Sequence, residues 1–209
     1  MQNLDLVIQT PQPALVLASA SPSRRALMLA AGLRFEAIAA MVDEAALKES
    51  AQAEHINPAD TAVLLADAKA RAVARRHPEA LVIGSDQLMV CEGRWFDKPP
   101  DIETAEGHLR ALSGRTHQLV NGTVAWRGGR RIWQNAAVAT LTVRPLSDAF
   151  IAAYLAAEGE ALLSTVGAYR MEGLGMHLFS AVEGEHSTIL GLPMLPLLGF
   201  LRQHGLLTG

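Results

Sequence analysis

Residues 15–31 read LVLASASPSRRALMLAA. Three serines spaced two apart, Ser19, Ser21 and Ser23, surround Pro22 and lead into adjacent Arg24 and Arg25, with apolar runs on both sides. A buried strand that enters a serine-rich turn and then a helix start offers free backbone N–H groups, hydroxyl donors and the positive end of a helix dipole. Those are the donors an anion needs. Arginine adds planar forks suited to phosphate oxygens. A capped helix with two solvated arginines would produce the same pattern, so the stretch needs support from elsewhere in the chain.

Four other places offer charged groups. In VIGSDQ, a polar turn carrying Asp86 is expected at the end of a buried strand, where open α/β sheets bind their ligands; a plain Asx turn is the alternative. Asp43 and Glu44 follow a short strand as adjacent carboxylates, able to hold a hard divalent cation or simply to start a solvated helix. Lys98 stands in the rigid DKPP turn. Lys69 lies in ADAKA, a stretch that otherwise reads as buried. Several chemistries are disfavoured: there is no GxxxxGK[ST] loop, no GxSxG elbow and no HExxH pair. With one cysteine a zinc site is not expected, and His117 is placed on a strand with no ligand role.

The elements that must position these groups are legible from periodicity and punctuation. Residues 14–19 read as a buried strand. RRALMLAAG reads as a helix with Ser21 as N-cap, Pro22 in its first turn and Gly32 as its stop. RFEAIAA is a short strand, and residues 58–76 form the clearest helix, with Pro58 and Asp60 at its start. Residues 80–90 are a second buried strand, interrupted by Gly84-Ser85-Asp86-Gln87, and CEGRWFDKPP is a glycine-bearing turn. Residues 101–112 are a helix with acidic residues at its dipole-favoured start. THQLVNGTVAW and RIWQNAAVATLTV flank Gly128-Gly129 as a hairpin. SDAFIAAYLAAEG is a capped helix, and PMLPLLGFLRQHG closes the chain as another. Strands alternating with helices, plus a hairpin, predict an α/β fold with a mixed sheet, and no linker composition divides residues 1–209 into more than a single domain.

Bulk properties agree with a folded enzyme-sized chain. Half of the 209 residues are apolar, 19% are charged, and the net charge is −3. That balance argues against a broad grip on nucleic acid, so any anionic ligand needs a local cluster of cations. The lone Cys91 suits a reducing cytoplasm. MQNLDLVIQTPQP carries Asp5 and no basic region, unlike a secretory signal. The longest apolar run, LGLPMLPLLGFL, falls short of the ~18 residues of a membrane span. A cytoplasmic protein with no membrane and no nucleic-acid partner is expected.

The order of these motifs resembles the Maf family of nucleoside triphosphate pyrophosphatases. The matching segments are LASASPSRRALMLAAGLRFE, VDE, AKA, VIGSDQ, DKPPDIETAEGHLRALSGRTHQLVNGTV and EGLGMHLFSAVEGEHSTILGLPM, in family order over nearly the whole chain. The resemblance implies a mixed twisted sheet with flanking helices, two lobes around a cleft, and often a homodimer. It also implies hydrolysis of a nucleoside triphosphate to the monophosphate and pyrophosphate, with Mg²⁺ or Mn²⁺. By resemblance Asp86 matches the catalytic acidic residue, and Ser19, Arg24, Arg25, Lys69 and Lys98 match the triphosphate-binding positions. Glu44 matches a metal-site position, shared with Asp86, while Ser23, Gln87 and Glu172 fall where base choice is made.

Water attacking the α-phosphorus while pyrophosphate leaves builds charge on oxygens that these cations can stabilise. Asp86 either deprotonates the water or ligates the metal that activates it. GSDQ and EGLG resemble the branch acting on 7-methyl-GTP, whereas the dTTP and UTP branch typically has GADT. The chain departs from the first branch at Ser23, where that branch can carry a large aromatic, and Asn121 stands where threonine is common. A broader-range or dTTP/UTP pyrophosphatase is one alternative. A nucleotide-binding regulator of septum formation without turnover is the other.

Overall fold

A computed structural model describes residues 8–208. The segment carrying Asp5, expected to lack a secretory signal, lies outside the described residues. Seven strands form one mixed sheet: β1 (Leu15–Leu17), β2 (Glu36–Ala37), β3 (Leu81–Cys91), β4 (Arg94–Phe96), β5 (Thr116–Arg127), β6 (Arg130–Val143) and β7 (Phe179–Glu183). Their order is β2-β1-β3-β5-β6-β7, with β4 paired to β3. β1 runs parallel to β2 and β3, with Val16 opposite Glu36 and Val82, while β3–β4 and β6–β7 are antiparallel. The helices are α1 (Pro22–Ala30), α2 (Glu44–Ala53), α3 (Pro58–Ala74), α4 (Ile102–Leu112), α5 (Asp148–Glu158), α6 (His186–Ile189) and α7 (Met194–Gln203). None is long and apolar enough to cross a membrane among the described residues.

The chain divides into two compact units. The first takes residues up to Asp86, 121–137 and 190 onward. β1 and the first half of β3 are buried on both faces, and the two-residue period of a strand sorts their side chains into two cores. Leu15, Leu17, Leu81, Ile83 and Ala125 pack with Met28, Leu197 and Phe200. Val16, Ala18, Val82 and Val124 pack with Val63, Ala66, Ala70 and Val73 of α3. Ala62, Ala66 and Ala70, each wholly buried, recur every four residues and form the stripe of α3 that meets the sheet. A Cβ on Gly84 would lie 2.3 Å from the Ala66 carbonyl oxygen, and one on Gly122 would lie 2.2 Å from the Ala62 carbonyl carbon. Only glycine allows the helix backbone so close.

The second unit takes residues 87–120 and 138–189. Asp101 caps α4 by accepting the Thr104 N–H at 2.7 Å, and Arg110 ties α4 to α5 through Asp148. Buried His117 and Tyr169 pack with half-buried Phe179 as an aromatic group of this unit. His117 lies on β5, as expected, and its Nε2 meets the Tyr169 hydroxyl at 2.8 Å. Burial pushes the His117 imidazole down to about 4 and raises the Tyr169 phenol.

Two expectations change. The polar run at 84–87 does not interrupt its strand, because β3 continues from Leu81 to Cys91. A strand can carry buried polar side chains when each finds a partner, and here Ser85, Asp86 and Gln87 all do. The CEGRWFDKPP turn is confined to Glu92 and Gly93, and residues 94–96 form β4. α3 starts at Pro58 as expected, with Asn57 as its cap.

Candidate functional site

The first unit gathers most of the expected residues. β1 ends at Leu17, and Ser19 is the buried residue that leads into the α1 cap. Ser21 Oγ accepts the Arg24 N–H at 3.4 Å, while Ser19 Oγ accepts the Ser21 N–H and Arg24 Nη1, each at 3.2 Å. Arg24 is 9% exposed and donates from Nε to the Gly191 carbonyl at 2.7 Å. Its Nη2 donates to no side chain or backbone group among the described residues. Burial pulls the Arg24 guanidinium below its ordinary value, opposed by attraction to Asp86 and Glu44; arginine stays charged throughout.

Lys69 joins the two carboxylates. Its Nζ donates to Asp86 Oδ1 at 2.5 Å and to Glu44 Oε1 at 2.8 Å. Lys69 and Asp86 side chains are 10% and 6% exposed, and Glu44 is 44% exposed. α3 delivers Lys69 from the turn beside Ala66 and Ala70, β3 delivers Asp86, and α2 delivers Glu44 as its first residue, capped by Asp43 accepting the Ala46 N–H at 3.0 Å. The adjacent carboxylates therefore divide the work: Asp43 starts the helix and Glu44 reaches Lys69. Asp86 Oδ2 and Glu44 Oε2 accept no hydrogen bond among the described residues. Two hard oxygen donors around one cation suit Mg²⁺, which takes one or two carboxylates and leaves its other positions to water and phosphate. Among the described residues there is no group of three His, Cys, Asp or Glu able to hold a metal.

Arg25 is exposed on α1, and its side chain has no hydrogen bond or ion pair among the described residues. Ser23 is half-buried on the same helix. The remaining three expected residues belong to the second unit. Gln87 Nε2 donates to the carbonyls of Thr188 and Ile189 at 3.0 and 3.1 Å. Lys98 is exposed in the segment between β4 and α4. Glu172 is exposed at the head of the EGLG loop, which is built on Glu158. That carboxylate takes the Leu174 N–H at 2.9 Å and Arg170 Nη1 at 3.2 Å, and a Cβ on Gly173 would lie 2.7 Å from its Oε1.

Residues that sequence reasoning missed hold Arg24 in place. Ser85 Oγ donates to the same Gly191 carbonyl that Arg24 uses, at 3.0 Å, and lies 3.4 Å from Thr123 Oγ1. Gly191 has φ of +95°, and a Cβ there would come within 3.3 Å of Arg24 Nε. The only signals were a serine inside a buried run and a Gly-Leu-Pro turn, neither of which announces a shared carbonyl.

The model of the family described as Maf-like protein matches residues 14–204. A protein of Granulibacter bethesdensis called nucleoside triphosphate pyrophosphatase is 52% identical over 194 residues, covering 93% of this chain and 98% of the relative. Proteins called 7-methyl-GTP pyrophosphatase in Rhizobium meliloti and Rhizobium etli are 53% and 52% identical, over 93% and 94% of this chain and 98% and 99% of the relatives. With the family model matching residues 14–204 and relatives about half identical over almost the whole length, the chain belongs to the Maf family.

Proposed function

We propose that this chain hydrolyses nucleoside triphosphates to the monophosphate and pyrophosphate, acting as one Maf-like domain over residues 1–209 in the cytoplasm. The observation that carries the reading is the buried Lys69 bridging Asp86 and Glu44, close enough to Arg24 for both carboxylates to bear on its charge. Water forms a bond to the α-phosphorus as the bond from that phosphorus to the bridging oxygen breaks, and pyrophosphate leaves with the electron pair. Arg24 presents Nη2 to phosphate oxygens while Nε and Nη1 anchor it, so its orientation is set before substrate arrives. Ser19 fixes that anchor, and Lys69, Arg25 and Lys98 supply further positive charge. Asp86 Oδ2 is the oxygen available to take a proton from water or to bind a cation. Glu44 and Asp86 would hold a divalent cation, Mg²⁺ or Mn²⁺, which would supply positive charge to the phosphate oxygens.

Ser23, Gln87 and Glu172 carry base choice in this reading, and the preferred substrate is 7-methyl-GTP. Gln87 uses its amide N–H groups on two carbonyls, which leaves its amide oxygen to read a donor. Removal of a non-standard nucleotide is the role that results. The test is product analysis with Mg²⁺ or Mn²⁺ over the standard nucleoside triphosphates, dTTP and 7-methyl-GTP, with Asp86→Asn as control. Monophosphate and pyrophosphate formed by the wild type and lost in Asp86→Asn are expected, fastest with 7-methyl-GTP. Binding of every nucleotide without turnover would replace the enzyme by a regulator, and release of single phosphates would make it a phosphatase.

A further inference from the structure

We propose that the β5–β6 turn carries a second anion site, built for an oligophosphate and separate from the Lys69–Asp86 cluster. Arg127, Gly128, Arg130, Arg131, Ile132 and His204 line a concavity of about 870 Å³, within the size range of small-ligand sites. Gly128 and Gly129 have φ of +58° and +76°, the backbone of a tight two-residue hairpin turn. Such a turn sets its flanking residues directly across from each other, here Arg127 at the end of β5 and Arg130 at the start of β6.

Like charges facing across a hairpin weaken it. Neither arginine has an ion pair or side-chain hydrogen bond among the described residues. Arg131 alone is paired, to Asp67 Oδ1 at 3.2 Å, an oxygen that also accepts Trp126 Nε1 at 2.8 Å. The hairpin is thus pinned to α3 while two guanidinium groups stay uncompensated beside it.

The surroundings strengthen the field. Gly128 N–H donates to the Pro78 carbonyl at 3.3 Å, next to the Arg75–Arg76 end of α3. Arg75 and Arg76, both exposed, stand within three residues of Pro78 in a chain whose net charge is −3. Arginines at the ends of α3 and α7 complement helix dipoles, but Arg127, Arg130 and Arg131 sit on strands, where that reason does not apply. His204 is held by its ring against Phe200, at 4.4 Å between centroids.

Guanidinium forks match phosphate oxygens, and the lining has one aliphatic side chain and one ring, so it reads charge rather than a base. Pro78 precedes β3, and at roughly 3.3 Å per residue Asp86 lies about 17 Å along that strand from Leu81. The hairpin and the Lys69–Asp86 cluster therefore lie at different levels along β3.

The experiment is calorimetric titration of the full chain with inorganic tripolyphosphate, without divalent metal, at about 50 and 200 mM salt. Wild type is compared with Arg127→Ala/Arg130→Ala and with Lys48→Ala/Arg94→Ala as a charge control. Turnover and urea stability are measured in parallel. The hairpin variant is expected to lose one binding equivalent or at least tenfold in affinity, to keep turnover within twofold, and to be no less stable without anion. Unchanged tripolyphosphate binding, or an equal loss in the charge control, would overturn the site. So would binding of a single-stranded oligonucleotide at the hairpin with no binding of tripolyphosphate. Absence of turnover in the wild type would count against the pyrophosphatase reading alone and leave this titration intact.

Discussion

Lys69 offers the sharpest test of how the cluster is held together. Lys69→Met keeps the side chain as far as Cε and removes a cation that two carboxylates share. Asp86, 6% exposed, would lose its cation in a dry setting, whereas Glu44, 44% exposed, can turn to water. Breaking a buried pair from one side costs about 3–5 kcal/mol, and the nearby Arg24 charge places the expected loss at the low end, about 3 kcal/mol. Asp86→Leu should cost less, about 2 kcal/mol, because Lys69 keeps Glu44 as a partner. Replacing both members by apolar groups removes the uncompensated charge, so Lys69→Met/Asp86→Leu should lie within about 2 kcal/mol of wild type, leaving ~3 kcal/mol of coupling. Urea unfolding of the four proteins reads this directly, provided the m-values stay equal. Single-variant losses that simply add to within ~0.5 kcal/mol in the double variant would refute a coupled buried pair.

Three further outcomes are expected. His117, held near a value of about 4 by burial, binds its proton more readily unfolded than folded; stability should be full above ~6.5 and fall by up to about 3 kcal/mol as pH drops toward 4. A flat profile over that window, or the same slope in His117→Phe, would contradict it. Gly191→Ala should cost about 1–3 kcal/mol through its positive φ and raise KM by displacing Arg24, a change that unaltered kinetics would exclude. Gly84→Ala would bring a Cβ to 2.3 Å from the Ala66 carbonyl oxygen, and a loss of at least ~2 kcal/mol is expected, measured by thermal unfolding.

Much of the fold was legible because its signals are local. Ser21, Pro22 and Gly32 bracket α1 within one stretch of chain, and Gly128-Gly129 marks the hairpin, since caps and turns depend on nearest neighbours. The continuity of β3 was not legible. GSDQ carries every mark of a turn, and what keeps it extended are partners from Lys69, Gly191 and Thr188, distant in sequence. At the candidate site, the burial of Lys69 could be read from ADAKA, but its two partners could not, because Glu44 and Asp86 stand 25 and 17 residues away on different elements. Arg24 and Arg25 look equivalent in the sequence; helix rotation alone buries the first and exposes the second.

The close seating of α3 has a mechanical consequence. The helix backbone rests on the sheet at two points, over Gly122 at Ala62–Val63 and over Gly84 at Ala66–Ala70. Two bearings fix a rod's slide and its tilt together, and Lys69 lies within the span of the second. Its Cα has almost no travel relative to β3, so the ammonium can move only by turning about its own side-chain bonds. Adaptation to a differently sized anion must therefore come from torsions in Lys69 or from the anion itself, with α3 acting as a fixed datum.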